Sequence, residues 1–238
     1  GGTWTGTNQG AYTLFNNDSG NFELYGNLYN WYAANDDRNI CPENWHVSND
    51  DDWLDLVEYY NGNIVETGYG NDLPYIKYDI GGKLKEVGTE HWNSPNTGAT
   101  NESGFTALPG GNRNWGNGNF DDFGTSGGHW STDERGTNSY GDNGSDWGLG
   151  HSSSNLSNQS SLKNYGKSVR CVRNIYGCTD SLAENYNSDA DFDDNSCEYL
   201  DNGDYSLSFD GLDDYVEIPH QSFHSFYNNE KTIQFDLD

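Results

Sequence analysis

The chain has 238 residues, and its 38 Asp and Glu against 11 Lys and Arg give a formal net charge of −27. A surface this acidic repels nucleic acid and anionic membranes, so we exclude both as partners. No stretch approaches the apolar length of a membrane-spanning helix, which argues against membrane insertion. Low hydrophobicity alone would suggest disorder, but 8 Trp, 17 Tyr and 10 Phe supply large buried areas and predict a compact, turn-rich fold.

The N-terminal part of the chain predicts short strands and turns followed by one short helix. Its first residues are rich in Gly, Thr and Asn with isolated aromatic side chains, a composition typical of tight turns. Leu28, Trp31 and Tyr32 then follow helical spacing. This spacing predicts a helix within residues 25–34 that packs through aromatic side chains.

Residues 40–60 carry the strongest helix signal in the sequence. Residues 45–47 predict a short strand, and Ser48 predicts the N-cap of the helix that follows. Three consecutive Asp residues after it favour the positive end of the helix dipole. The apolar stripe of this predicted helix consists of Trp53, Leu54, Val57 and Tyr60.

The middle of the chain predicts loops and short strands. Residues 61–80 read as a loop-like insert, and residues 105–108 as a buried strand that ends at a Pro-Gly-Gly turn. Residues 112–150 are rich in Gly, Asn and Asp and predict short strands separated by tight turns. Residues 151–164 are polar and predict an exposed hairpin.

The four cysteines predict two disulfides in an oxidising compartment, because their number is even and none forms a C-x-x-C pair. A metal site is the alternative use of these thiols. Three connectivities are possible, and we favour Cys41–Cys171 with Cys178–Cys197, since the second pair closes a small acidic module after the main domain. A predicted strand at residues 169–172 then brings Cys171 back to Cys41.

Five segments in order carry a family resemblance: YGNLYNWYA, CPENWHV, DDWLDL, GGKLKEVGTEHWNSPNTGATNESGFTALPGGNR and SVRCVRN. From Gly10 to Asn174 the chain resembles the bacterial family called the Fibrobacter succinogenes major paralogous domain. It departs at Asn44, where the family usually has Gly, and at Gly128, whose segment in the family tends to hold two adjacent tryptophans. The resemblance implies a secreted or surface protein with an α+β, C-type-lectin-like fold, shared with formylglycine-generating enzymes. Composition and spacing alone predict an α+β, loop-rich, disulfide-stapled domain.

We divide the chain into three parts. Residues 1–174 form the main domain, and residues 175–200 form an acidic disulfide module similar to one that recurs in secreted proteins of marine and gliding bacteria. Residues 201–238 resemble the first strands of a laminin-G-like or concanavalin-like sandwich, too few to bury both faces alone. Within the module, Ser181 matches a short O-glycosylation acceptor pattern of Bacteroidetes-type secreted proteins.

The acidic module also predicts a calcium site. Asp189, Asp191 and Asp193 alternate and are followed by Asn195, and calcium takes six to eight oxygen ligands. The EF-hand rule fails here, because Asp194 stands where that loop needs Gly. A solvated linker closed by a disulfide is the alternative interpretation.

The sequence predicts a protein that is not an enzyme. It contains no nucleophile elbow, no H-E-x-x-H and no phosphate-binding loop, and its cysteines are placed as structural staples. An enzyme related to the formylglycine-generating enzymes is a minor alternative.

The loops of residues 112–150 are the predicted ligand site, because the resemblance places them where the fold displays variable loops. Trp130 is assigned to the core, and Trp115 is open to either role. The candidate ligand-binding residues are Trp115, His129, Tyr140, Asp142 and Trp147. Flat aromatic rings beside carboxylates stack on and hydrogen-bond sugars or peptides.

The function we expect is that of a secreted cell-surface recognition or adhesion protein that binds an extracellular glycan or protein. The alternative is a structural subunit of an extracellular assembly, in which the strands of residues 201–238 pair copies of the chain with one another.

Overall fold

The protein is described by a computed structural model that covers residues 4–70 and 73–199. The strands are β1 Tyr12–Thr13, β2 Leu28–Tyr29, β3 Trp45–Val47, β4 Ile64–Gly70, β5 Leu73–Tyr78, β6 Asn112–Arg113, β7 Phe120–Asp121, β8 Ser126–Asn138, β9 Gly141–Gly150, β10 Leu156–Leu162, β11 Cys171–Arg173, β12 Tyr176–Gly177 and β13 Phe192–Asp193. The α-helices are α1 Phe22–Tyr25, α2 Trp31–Ala34, α3 Asp50–Tyr59 and α4 Gly81–Leu84, with single 3-10 turns at Phe15–Asn17 and Ser19–Asn21. The sandwich strands predicted for residues 201–238 lie outside the described residues.

The fold is mostly β, with 36% strand against 14% helix. The longest helix that the structure describes is α3 with 10 residues, and α1, α2 and α4 have 4 each. The α+β, C-type-lectin-like class expected from the sequence is therefore wrong, because the helices are minor additions to several small sheets. In the described ranges no helix is long and apolar enough to cross a bilayer.

The largest sheet has five antiparallel strands in the order β4-β5-β10-β9-β8. Residues 61–80, which were predicted to be a loop-like insert, form the β4–β5 hairpin, and residues 151–164, which were predicted to be an exposed hairpin, contain β10. β10 lies inside the sheet and pairs with β9 from Leu156↔Leu149 to Leu162↔Asn143. Because these segments are rich in Gly, Ser and Asn, they lack the alternation of apolar and polar residues that marks a strand. Backbone hydrogen bonds between strands form regardless of the side chains.

The helix predicted for residues 25–34 is broken into two short pieces. Gly26, at φ 68°, ends α1 in a conformation that disfavours side-chain-bearing residues. Strand β2 follows, and α2 then begins at the N-cap Asn30, whose side chain accepts from the Ala33 amide at 3.0 Å. The spacing of the apolar residues was that of a helix, but Gly26 and the N-cap Asn30 prevent one continuous helix from forming.

Helix α3 is capped one residue later than the sequence predicts. Asn49 accepts from the Asp52 amide at 2.9 Å, and the Asp52 carboxylate accepts from the Asn49 amide at 2.7 Å, which forms a capping box. Ser48 instead accepts a hydrogen bond from the indole of Trp53 at 3.0 Å. The prediction for Leu54 was also wrong, since its side chain is exposed.

Aromatic side chains form the centre of the core. The Trp147 ring stacks on Trp53 at 5.6 Å and on Tyr78 at 5.8 Å, so α3 and the sheet meet through three rings. The main core consists of Trp53, Val57, Tyr78, Ile80, Leu84, Trp92, Ala107, Trp147, Leu149 and Leu156. A second cluster contains Trp31, Ala34, Val47 and Trp130. Trp130 is fully buried, as the sequence predicts.

Helix α4 owes its close packing to the motif GGKLK. A Cβ added at Gly82 would lie 2.1 Å from the carbonyl oxygen of Gly98, so only glycine fits there. Lys85, just after the helix, is fully buried, and burial lowers its pKa to about 8. Its ammonium donates at 2.8–3.0 Å to the carbonyl oxygens of Thr97, Gly150 and Ser153. The lysine thus joins the end of α4 to the loop that contains Thr97 and to the β9–β10 connection.

Two disulfides close the structure, and they are the two pairs expected from the sequence. Cys41–Cys171 spans 130 residues and Cys178–Cys197 spans 19. Beside the first bond, β3 pairs with β11 in the register Cys171↔Val47. The bond and the strand pair together hold the two ends of a long chain segment against each other.

Candidate functional site

The tip of the β8–β9 hairpin presents Tyr140 to solvent. Asn138 pairs with Gly141, so only two residues connect the strands. The Tyr140 amide donates to the side chain of Asn138 at 2.9 Å, which holds the turn, and the phenol ring remains 66% exposed. A ring fixed in this way loses little conformational freedom when it contacts a ligand.

Trp115 faces this hairpin from the loop between β6 and β7. The Asn114 side chain accepts from the Gly116 amide at 2.9 Å and so fixes the backbone around the tryptophan. The ring centroids of Trp115 and Tyr140 lie 6.4 Å apart at an interplanar angle of 55°. Two residues that are far apart in sequence thus form one aromatic pair.

The aromatic pair borders an open cleft of about 400 Å³. Its walls include Tyr32, Trp115, Tyr140, Asp142, Lys163 and Asn164, together with residues 5–8. Three of the residues predicted to bind a ligand, Trp115, Tyr140 and Asp142, therefore meet at one place. We call this cavity the aromatic cleft.

The charged groups of the aromatic cleft are held by internal contacts. Asp142 accepts from the Thr137 hydroxyl at 2.7 Å. The Lys163 ammonium lies 3.8 Å above the Trp31 ring and donates to Glu134 at 2.5 Å. The pKa of Tyr32 is raised, first by burial and then by the negative charges of Asp142 and Glu134. The cleft therefore offers fixed charged groups beside exposed aromatic faces.

A second, smaller cavity adjoins the aromatic cleft. It measures about 230 Å³ and shares Trp115, Tyr140 and Leu162 with the cleft. Its other walls are uncharged and polar, and they consist of Asn138, Asn143, Ser160, Ser161 and Tyr165. We call it the amide cavity.

His129 and Trp147, the two other predicted ligand residues, are core residues. Trp147 is 1% exposed and His129 is 4% exposed, so neither ring reaches a ligand at the surface. Burial lowers the pKa of His129 to about 3, and the ring lies against Trp53 and Phe105. These two predictions were wrong because both faces of this part of the sheet are covered: residues 127–131 of β8 and 143–147 of β9 are buried without a break, and a Gly-rich strand does not reveal this.

A further cavity of about 530 Å³ lies where the main domain meets the acidic module. Its acidic lining comprises Asp36, Asp37, Asp51, Asp52, Asp55 and Asp191. Burial and then the charge of neighbouring Asp52 raise the pKa of Asp55. His46 is held within the main domain, since its Nδ1 lies 2.7 Å from Asn174 and its Nε2 3.1 Å from Asp52, and its ring faces Phe192 of the acidic module at 6.2 Å. The crowding of carboxylates favours cations over anions in this cavity.

The residues predicted to bind calcium are exposed in the acidic module but already serve as local acceptors. Asp191 accepts from the Ile175 amide at 2.8 Å, and Asp193 accepts from the Asn195 amide at 2.9 Å. Asp189 makes its contact with neighbouring Ser188. Calcium binding here stays a prediction. It requires the three carboxylates to turn toward one point, and a fall in melting temperature on adding a chelator would test it.

One group of potential metal ligands was missed by the sequence analysis. Ligand atoms of Glu86, Glu90 and His91 lie within 4.8 Å of one another, and this is the single such group of three in residues 4–70 and 73–199. Glu86 accepts from His91 Nδ1 at 2.8 Å. The spacing E-x-x-x-E-H was the available signal, but it is too short and too common to stand out.

The remaining predicted residues lie at the surface or in disulfides. Ser181 is exposed in a turn beside Leu182, which is 85% exposed, so the predicted glycosylation acceptor is accessible. All four cysteines are disulfide-bonded.

These features define a class of protein: a mostly β domain stabilised by disulfides, as is typical of extracellular proteins. The chain belongs to the Fibrobacter succinogenes major domain family, which matches residues 3–173. The family membership indicated by the sequence motifs is confirmed, and the acidic module lies beyond the match. No curated protein and no solved structure matches the chain.

Proposed function

We propose that the protein is an extracellular recognition module, without enzymatic activity, that binds a glycan or protein ligand in the aromatic cleft. The observation that carries this proposal is the meeting of Trp115, Tyr140 and Asp142 in one open cavity. Its volume lies within the range of about 300–1,000 Å³ that is typical of ligand pockets.

The chemistry of the cleft supports recognition of a polar ligand with flat or ring-shaped apolar faces. Tyr140 presents an exposed ring, and Asp142 supplies an exposed acceptor that Thr137 already holds in place. A preorganised group lowers the entropy lost on binding, which favours affinity without closure of a lid. Lys163 is buried and paired with Glu134, so it supports the wall of the cleft.

A glycan array combined with a screen of extracellular proteins tests this function. We expect a ligand whose binding is weakened at least about tenfold by Tyr140→Ala, which corresponds to about 1.4 kcal/mol. Tyr69→Ala is the matched control, because Tyr69 is an 80% exposed tyrosine in β4 that does not line the cleft. Equal binding by both variants would contradict the proposed site.

A second candidate function, a subunit of an extracellular assembly, is favoured by β4. This strand is at one end of the five-stranded sheet and has no strand beyond it in the described residues. Ile64, Val65 and Tyr69 are exposed on it. An unpaired strand edge can pair with the same edge of a second copy. Light scattering of the wild type and of Val65→Lys at increasing concentration tests this candidate, and a monomer throughout would dismiss it.

A further inference from the structure

The aromatic cleft and the amide cavity are parts of one longer site. They share Trp115, Tyr140 and Leu162 as a common wall. The cleft, at about 400 Å³, is large enough for a ligand site, whereas the amide cavity, at about 230 Å³, falls below the usual range. The smaller cavity is therefore better explained as an extension of the larger one than as a separate site.

The shared aromatic pair presents two faces that point in different directions. The rings of Trp115 and Tyr140 are inclined by 55°, so they do not form one flat platform. A single planar ligand cannot stack on both rings at once. Two rings joined by a flexible linkage can each meet one face.

The two cavities differ in charge. Asp142 and Lys163 line the aromatic cleft, whereas the described lining of the amide cavity has no charged side chain. No described residue hydrogen-bonds the hydroxyl groups of Ser160 and Ser161. The two residues are adjacent in β10, so their side chains point to opposite faces and one of the two hydroxyls is available to a ligand in the cavity. Asn143 is buried and donates to the Gly141 carbonyl at 2.8 Å, so it supports the cavity wall.

We propose that the ligand of this site is a neutral oligosaccharide of at least two sugar units, with one unit in each cavity. The inference rests on the proposed function and makes it more specific. Sugar rings combine apolar faces, which stack on aromatic rings, with edges of hydroxyl groups, which match amides and serines. A net charge of −27 disfavours acidic sugars, and the uncharged amide cavity has no partner for a charged one.

Calorimetric titration with ladders of gluco-, xylo-, manno- and galacto-oligosaccharides of one to six units tests the inference. For the ladder that binds, we expect the affinity to rise at least about tenfold from one unit to two and then to change little. Of the two single variants Ser160→Ala and Ser161→Ala, the one that loses the hydroxyl facing the cavity should remove the gain of the second unit, and both should leave the affinity for the single unit unchanged. Tyr140→Ala should weaken both, and Tyr69→Ala neither.

The outcomes separate this inference from the function on which it rests. Affinity for a single unit as strong as for longer chains, still lost in Tyr140→Ala, would overturn the two-unit site and leave the recognition function intact. Binding to a protein ligand with no response to any ladder would overturn the oligosaccharide but keep the cleft. Binding unaffected by Tyr140→Ala would overturn both. Equal thermal unfolding of the variants serves as the folding control.

Discussion

The indole N–H of Trp147 donates to the carboxylate of Asp50 at 2.8 Å and thereby joins the first turn of α3 to the five-stranded sheet. The same carboxylate accepts from Ser145 at 2.7 Å and from Arg135 at 2.7 Å. One acidic residue at a helix start therefore satisfies polar groups from both β8 and β9. The helix dipole adds a favourable interaction with its charge.

Asp50→Ala should destabilise the protein by about 3–5 kcal/mol, because it leaves a buried indole, a buried hydroxyl and a half-buried guanidinium without their shared partner. Urea unfolding followed by tryptophan fluorescence measures this loss. The matched control is Asp51→Ala, since Asp51 is exposed in the same helical turn and should cost at most about 1 kcal/mol. Similar losses in both variants would mean that the dipole, rather than the carboxylate contacts, dominates.

His129 should make the protein less stable in acid. Burial lowers its pKa to about 3 in the folded protein, against 6.5 for a histidine in the unfolded chain. The unfolded chain therefore binds more protons below about pH 6.5, and the free energy of unfolding falls as the pH drops from there toward about 3. At about pH 4 this one residue accounts for roughly 3 kcal/mol, taken from about 1.4 kcal/mol per pKa unit.

His129→Gln isolates this effect, because glutamine does not titrate. The variant should be less stable than the wild type at neutral pH, where it loses the ring contacts with Trp53 and Phe105. The difference between the two proteins should then shrink as the pH falls from about 6.5 to 4. Parallel stability curves over this range would show that His129 does not drive the acid sensitivity.

The two disulfides should contribute unequally to stability. On the chain-entropy relation, closing a loop of 130 residues is worth about 5 kcal/mol and one of 19 residues about 3 kcal/mol. The double variant Cys41→Ser/Cys171→Ser should therefore lower the free energy of unfolding more than Cys178→Ser/Cys197→Ser. Denaturant titrations with a fluorescence probe of the main domain measure the free energy of unfolding of both variants. A larger loss of this free energy in Cys178→Ser/Cys197→Ser would contradict the prediction.

Gly82→Ala should be strongly destabilising, because its Cβ would collide with a backbone oxygen that cannot move aside. We expect a loss of several kcal/mol, as in other overpacked or strained sites, on the order of 3. Gly150→Ala is the control, since a Cβ there meets nothing within 4 Å. The melting temperatures of the two variants are compared. Equal values would mean that α4 can move to accommodate the added methyl group.

The sequence predicts those elements of the fold that side-chain patterns mark, and it does not predict those that backbone hydrogen bonds determine. The strand at β3, helix α3 and both disulfide pairs were predictable, because apolar spacing, capping residues and cysteines mark them directly. Residues 151–164 were predicted to form an exposed hairpin, but the polar sequence LSNQSSL does not reveal that strand β10 lies inside the sheet. Its place inside the sheet comes from backbone hydrogen bonds to both neighbours.

The sequence predicted which types of residue line the candidate site, but it did not predict all of the particular residues. Of the residues predicted from aromatic side chains beside Asp in the 112–150 segment, Trp115, Tyr140 and Asp142 line one cavity, and their binding of a ligand stays a prediction. The same rule also selected Trp147, which is buried because both faces of β9 are covered at residues 143–147. Lys163 and Tyr32 were missed, since they reach the cleft from distant segments that only the folded chain brings together.

The Cys41–Cys171 bond also decides how the domain transmits mechanical load. When force is applied to the chain before Cys41 and after Cys171, the disulfide bond bears it. The segment of 130 residues between the two cysteines is therefore not stretched. Fully extended, that segment would span about 450 Å, at roughly 3.5 Å per residue. Reduction of the bond allows this segment to extend under force. Single-molecule stretching with and without reductant would measure the resulting increase in contour length.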